Sequence, residues 1–296
     1  MNRYYWILGC LFVLTGCFRL DDNLFNEKKL TSYELENYSG EKDIVLDASY
    51  AIPDSLIHIF TLQSQAPEEK TPTTIYAIYI GDINTIHEDT VILYNHGNKW
   101  HMDFYWQRAK LLANVGGKNR FGVMMIDYRG YGLSQGNPSE EGLYADVNAA
   151  VQWLKDRGLT GEQLVMYGFS LGSAPSTELT ANPAVLRPEK LILEAPFASA
   201  EVMVQDGALI AMPGSYFTSL KIDNAEEIKK VNQPFLWIHG TKDDFLSYDT
   251  HGKVVFKNYK GVKGVAVPVE GGKHDNVPAV YGFEAYIQLL EKFITE

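Results

Sequence analysis

The chain has 296 residues, 46% hydrophobic and 21% charged, which is enough apolar material for one large α/β core. Its net charge is −11 and no run of Lys or Arg exceeds two residues, which argues against a nucleic-acid partner. The two cysteines, Cys10 and Cys17, lie in the first 17 residues, so the body of the chain can carry neither a disulfide nor a thiolate metal site.

The first residues read as an address. Arg3 supplies positive charge, and Tyr4 to Leu14 is an apolar run too short to span a bilayer as a mature helix. The run ends in Leu14-Thr15-Gly16-Cys17, which resembles the bacterial lipobox. That resemblance implies that residues 1–16 are removed and that the Cys17 thiol receives a diacylglycerol. The mature protein would then be a lipoprotein of the bacterial cell envelope, held at a membrane on its periplasmic or outer-surface side. Several acyl chains on one residue anchor stably, because each buried CH2 contributes roughly 0.8 kcal/mol. An uncleaved anchor and an ordinary signal peptide are the alternatives. Residues 17–40 are polar and mixed, and read as a lipidated tether and irregular lead-in with a short helix at Ser32–Tyr38.

Strands follow in quick succession at Ile44–Leu46, Leu56–Leu62 and Thr74–Ile80, rich in branched and aromatic residues, with a Pro-containing loop at Gln63–Thr73. They are expected to pair antiparallel at one sheet edge, with His58 structural. Thr90–Tyr94 is a continuous apolar run, as in a strand covered on both faces. A helix at Met102–Val115, a strand at Phe121–Ile126 and a helix at Gly142–Arg157 come next. Leu164–Tyr167 is a strand, Leu171–Thr180 a helix and Lys190–Leu193 a strand. Strands alternating with helices of this length imply a parallel sheet. Glu194–Val231 breaks the rhythm and reads as an insertion of short helices. Phe235–Ile238 and Gly264–Val269 are strands, and Tyr248–Tyr259 and Tyr281–Ile294 are helices.

Three motifs carry chemistry. Gly168-Phe169-Ser170-Leu171-Gly172 joins a strand to a helix in the pattern of a nucleophile elbow, a sharp turn that lifts a serine hydroxyl clear of a sheet. A serine hydroxyl is a poor nucleophile until a base takes its proton and an acid orients that base. The strand Phe235–Ile238 runs through His239-Gly240-Thr241-Lys242 to Asp243 and Asp244, either of which can be the acid. Val267 to Gly272 turns the chain into His274, which can reach back over the sheet edge as the base. Negative charge that develops on an acyl oxygen needs N–H donors. The Leu171 N–H is one, and the other falls in His96-Gly97-Asn98-Lys99, on Asn98 with Lys99 second. His96 is read as a brace of that loop, His239 as a strand cap, and His87 and His251 as surface residues. No metal-ligand cluster or dinucleotide motif is present in the sequence, so no metal and no cofactor is expected.

Taken with Asp127-Tyr128-Arg129-Gly130-Tyr131-Gly132-Leu133-Ser134 and Glu194-Ala195-Pro196-Phe197, these motifs resemble the α/β-hydrolase superfamily, in particular its bacterial serine aminopeptidase-like and lipase-like members. The motifs span about residues 90–275. The resemblance implies a mostly parallel eight-stranded-type sheet flanked by helices over residues 41–296, with a small helical cap at about 197–230. It assigns Ser170 as nucleophile, His274 as base and Asp243 as acid, with Asp244 or Glu194 as the fallback acid. Asp127 and Arg129 are left as structural. Lys99-Trp100-His101 departs from a plain Gly-rich oxyanion loop and crowds the acyl pocket. The expected function is a serine esterase acting on a small-molecule acyl substrate, an ester of modest size first and a thioester or amide next. The competing reading is an inactive envelope lipoprotein that uses the fold as a scaffold. The oligomeric state is not legible.

Overall fold

The computed structural model describes residues 25–117, 120–208 and 218–296. The expected signal peptide, Cys17 and part of the expected cap lie outside the described residues. The strands are β1 (Asn26–Glu27), β2 (Ile57–Ser64), β3 (Thr73–Ile80), β4 (Val91–Asn95), β5 (Lys99–Trp100), β6 (Gly122–Asp127), β7 (Leu164–Phe169), β8 (Lys190–Glu194), β9 (Phe235–Gly240) and β10 (Gly264–Val269). The helices are α1 (Trp106–Leu112), α2 (Glu140–Lys155), α3 (Ser173–Ala181), α4 (Ala200–Ala208), α5 (Asn224–Glu227), α6 (Gly252–Asn258), α7 (Val277–Tyr281) and α8 (Phe283–Thr295).

Eight strands form one sheet in the order β10-β9-β8-β7-β4-β6-β3-β2. β3 runs antiparallel to both its neighbours, and the other pairings are parallel. The continuous apolar runs in β4, β6 and β7 follow from coverage on both faces. Along β7 the period of two sends Leu164 and Met166 to one side, where α2 and α3 contribute Leu143, Val147, Ala174 and Leu179. It sends Val165, Tyr167 and Phe169 to the other, against Trp106 and Leu112 of α1 and Leu290 and Phe293 of α8. Each large apolar side chain so buried contributes roughly 1.5–3 kcal/mol. α2 begins where the Ser139 hydroxyl accepts from the Gly142 N–H at 3.0 Å, satisfying a donor of its first turn.

The α/β-hydrolase fold class and the eight-stranded sheet are as expected, with local differences. Ile44–Leu46 forms no strand: Ile44 plugs into the core while Val45 is 74% exposed, and β2 already occupies that sheet edge. The helix expected at Met102–Val115 shrinks to α1, because residues 102–105 are turns in which the Asp103 carboxylate accepts from the Glu34 and Leu35 N–H groups. The lead-in helix is a single 3-10 turn, Leu35–Asn37. α6 starts at Gly252 rather than Tyr248, since the His251 backbone (φ −116°, ψ −93°) is not helical. The lead-in is also not a loose tether from Phe25 onward. Phe25 is buried, β1 pairs in parallel with β5, and the Tyr33 hydroxyl donates to Asp127 at 2.6 Å. Of the expected cap, α4, α5 and a 3-10 turn at Ile228–Lys230 are described, and residues 209–217 are not.

Candidate active site

The C-terminal ends of β4, β7 and β9 and the loop after β10 converge on one ledge. β7 ends at Phe169, and Ser170 opens a 3-10 turn, Ser170–Gly172, that runs into α3. Ser170 holds φ +51°, a left-handed backbone that few non-glycine residues adopt. The turn closes because the flanking residues lack side chains. A Cβ on Gly172 would lie 1.9 Å from the Asn95 carbonyl oxygen, and one on Gly168 would lie 2.5 Å from the Gly172 oxygen. Ser173 and Ser176 brace the turn by donating to the Ser170 and Gly172 carbonyls at 2.6 and 2.7 Å.

Three side chains meet here. His274 Nε2 lies 3.0 Å from Ser170 Oγ, and His274 Nδ1 lies 2.8 Å from Asp243 Oδ2. A carboxylate can only accept, so Nδ1 carries the proton and Nε2 is left to accept from the serine hydroxyl. Asp243 also receives His239 Nε2–H at 3.0 Å on the same oxygen, and the Phe245 and Leu246 N–H groups at 2.9 and 2.7 Å on the other. Burial pushes the Asp243 carboxyl up, but the bonds from His239 and His274 outweigh it and hold the group well below the usual carboxylate range. It therefore stays ionised at neutral pH.

Neither rival acid bonds His274, although Asp244 lines the same pocket. Asp244 is exposed and faces Lys273 at 3.5 Å. Glu194 is fully buried and takes bonds from Arg108 Nη1 at 2.7 and 2.8 Å and from the Tyr286 hydroxyl at 2.8 Å, with the Tyr167 hydroxyl on the same oxygen. Asp127 accepts from the Met102 N–H, and Arg129 pairs with Asp146 and Glu69. His96 is buried between the Tyr105 and Tyr128 rings, with Nδ1 2.8 Å from the Gly97 oxygen.

Leu171 follows the serine in the first turn of the helix, where N–H groups have no intrahelical acceptor. Asn98 and Lys99, the two residues expected to offer the second oxyanion donor, both line the pocket above Ser170. The Asn98 side chain is turned to the lead-in, its Oδ1 accepting from the Asn26 N–H and the Tyr131 hydroxyl, each at 2.9 Å. The pocket has a volume of about 390 Å³ and is walled by Trp100, Phe104, Tyr105, Phe169 and Phe245. Among the described residues the expected cap contributes nothing to this lining, and the aromatic walls come from β5, the end of β7 and the turns at Phe104, Tyr105 and Phe245.

Two histidines sit differently from the expectation. His239 does not cap its strand; it is buried and donates from Nε2 to both Asp243 and the Leu246 carbonyl, while Nδ1 accepts from the Trp237 indole N–H at 3.3 Å. The four-residue spacing from His239 to Asp243 at a strand end was the available sign. His251 is not a surface residue: it is fully buried, and its Nδ1 accepts from the Ala198 N–H at 3.1 Å. Burial lowers it to about 4, with Asp206 opposing. Arg108 was also not foreseen. Its guanidinium is buried between Glu41 and Glu194, donates to the Asp275 carbonyl at 3.1 Å and lies 4.2 Å over the Phe169 ring. It thus touches the neighbours of both His274 and Ser170.

Residues 86–228 match the model of the serine aminopeptidase family S33. The chain is 32% identical over 209 residues to alpha/beta hydrolase domain-containing protein 17B of Xenopus tropicalis, covering 69% of this chain and 66% of that protein, just under two thirds of the relative's length. Among solved structures, the Pyrococcus furiosus esterase Pf2001 shares the fold at a TM-score of 0.65 and 14% identity, covering 92% of this chain and 97% of that one. The Est1E protein of Butyrivibrio proteoclasticus, solved with ferulic acid bound, shares it at 0.60 and 18%, covering 75% and 95%. The chain has the α/β-hydrolase fold.

Proposed function

We propose that this protein is a serine hydrolase that cleaves carboxylic esters, with thioesters and amides as slower alternatives, through Ser170, His274 and Asp243. The observation that carries the reading is the unbroken relay of 3.0 and 2.8 Å from the Ser170 hydroxyl through His274 to Asp243, beneath an open pocket. His274 Nε2 takes the hydroxyl proton as Oγ attacks the acyl carbon. Asp243 holds the tautomer and steadies the imidazolium without becoming protonated. N–H groups of Leu171 and of the Asn98–Lys99 loop receive the developing oxyanion, a contribution commonly worth 10²–10³ in rate per donor. His274 returns the proton to the leaving alcohol, and water then cleaves the acyl-enzyme by the same relay. The aromatic walls favour a hydrophobic acyl group.

We also infer that Leu14-Thr15-Gly16-Cys17 directs lipidation at Cys17 and holds the enzyme at the cell envelope. No helix among the described residues is long and apolar enough to cross a membrane. Fractionation of cells that carry Cys17→Ser checks the anchor: the protein leaves the membrane fraction, and persistence there points to an uncleaved helix.

p-Nitrophenyl esters of graded acyl length, run beside aminoacyl nitroanilides, test the activity. The expected result is ester turnover that Ser170→Ala abolishes. Turnover of the nitroanilides alone would reverse the preference, and no turnover of either by folded protein would remove the hydrolase reading.

A further inference from the structure

We propose that Trp100 is a specificity-determining residue: its ring is the pocket wall that limits the length of the acyl chain, and the N-terminal lead-in holds it in place. The inference deepens the ester-hydrolase reading and rests on it.

Trp100 has φ +73°, deep in the left-handed region. For a bulky side chain this is a true outlier, and such a conformation persists only where the surroundings over-determine it. Glycine would occupy the position without strain. Four described residues outside glycine have positive φ, and one of the others is Ser170.

The surroundings that impose the conformation are on the lead-in. In β1 and β5, Asn26 pairs with Lys99 and Glu27 with Trp100, so the tryptophan backbone is held in a ladder. The Asn26 N–H is fastened to Asn98 Oδ1, which the Tyr131 hydroxyl also engages. The Lys28 ammonium lies 4.1 Å from the Trp100 ring centroid, a cation–π contact. The ring stacks on Phe104 at 5.3 Å with planes 14° apart, and both rings line the pocket with Ser170. Two stacked rings make a flat, stiff surface. Such a wall admits an unbranched short or medium acyl chain and stops a long one.

The lead-in thus shapes the site without entering it: no residue of β1 lines the pocket among the described residues, yet β1 and Lys28 hold Trp100, which does.

The test is the ratio of kcat/KM for p-nitrophenyl laurate to that for p-nitrophenyl butyrate, measured with melting temperatures for the wild type, Trp100→Gly, Trp100→Phe and Lys28→Met. Trp100→Gly raises the ratio at least about tenfold, in the range by which apolar pockets discriminate chain length. Trp100→Phe keeps the wild-type ranking, and Lys28→Met shifts the ratio partway toward the glycine variant. A merely structural role predicts a lower melting temperature and an equal loss on every ester, with the ratio unmoved. A folded Trp100→Gly protein whose ratio matches the wild type overturns this inference alone. A folded wild type that cleaves no ester overturns the hydrolase reading, and the inference with it.

Discussion

Asp243 accepts four hydrogen bonds on two oxygens, from two imidazoles and two backbone N–H groups. Asparagine at this position keeps the shape but presents an N–H to one imidazole, which forces the wrong tautomer on His274. Asp243→Asn is expected to lower kcat by roughly 10⁴ while leaving the fold intact; kcat near the wild type would transfer the acid's role to another carboxylate. The sign of the pH effect follows from the lowered carboxyl. Its folded value lies below the unfolded one near 3.9, so its contribution to stability is full above that pH. That contribution is lost as pH falls further, through the folded value. Ser170, Asp243 and His274 could be picked out of the sequence because each sits in a short local pattern at a strand end. Arg108 could not: its partners lie 67 to 167 residues away and only the packed sheet brings them together.

At the scale of elements, Arg108 of α1 ties together the lead-in (Glu41), the end of β8 (Glu194) and the loop that follows His274 (Asp275). Burial raises Glu41 to about 7 even with Arg108 opposing it, a sign of how dry this network is. Removing one partner of a buried ion pair strands the others. Arg108→Met should therefore cost about 3–5 kcal/mol in urea unfolding, and adding Glu41→Gln and Glu194→Gln should recover part of it. No change in the urea midpoint would mean that the network adds nothing. His251 fastens the start of α6 to Ala198, at the entrance to the inserted segment, through an unprotonated Nδ1. Its folded value of about 4 lies below the unfolded 6.5. The unfolded chain thus binds the proton first, and stability declines as pH falls from about 6.5 toward 4. His251→Asn, which keeps an acceptor and cannot ionise, should flatten part of that decline in a series of thermal melts; an identical slope would assign the decline to other groups. The eight strands of the main sheet were legible to within a residue or two because apolar runs report burial directly; the short run Ile44–Leu46 misled, and the two-residue β1 and β5 left no such run. The starts of α1 and α6 were not, because the turns at residues 102–105 and the backbone of His251 are set by tertiary contacts that override a helical pattern.

For the whole molecule, the lead-in is part of the domain. Phe25 is buried, Tyr33 bonds Asp127, and the Glu36 carboxylate receives Lys110 Nζ at 2.8 and 2.9 Å and the Trp106 indole N–H at 2.8 Å. A chain that begins at residue 41 should accordingly have a lower urea midpoint than one that begins at residue 25. It should also lose the wild-type ranking of ester chain lengths. Equal midpoints and equal rankings would reduce the lead-in to a spacer. This docking was hidden in the sequence because residues 25–40 are polar and aperiodic, and their partners on β5, β6 and α1 lie far along the chain. The central claim is that Ser170 is an activated nucleophile open to an acyl substrate. Its most direct measurement is labelling of the folded protein by a fluorophosphonate, with the modified peptide located by mass spectrometry. The account predicts stoichiometric modification of Ser170 in the wild type and none in a folded Ser170→Ala protein; a folded wild type that stays unlabelled, or a label that survives the substitution, contradicts it.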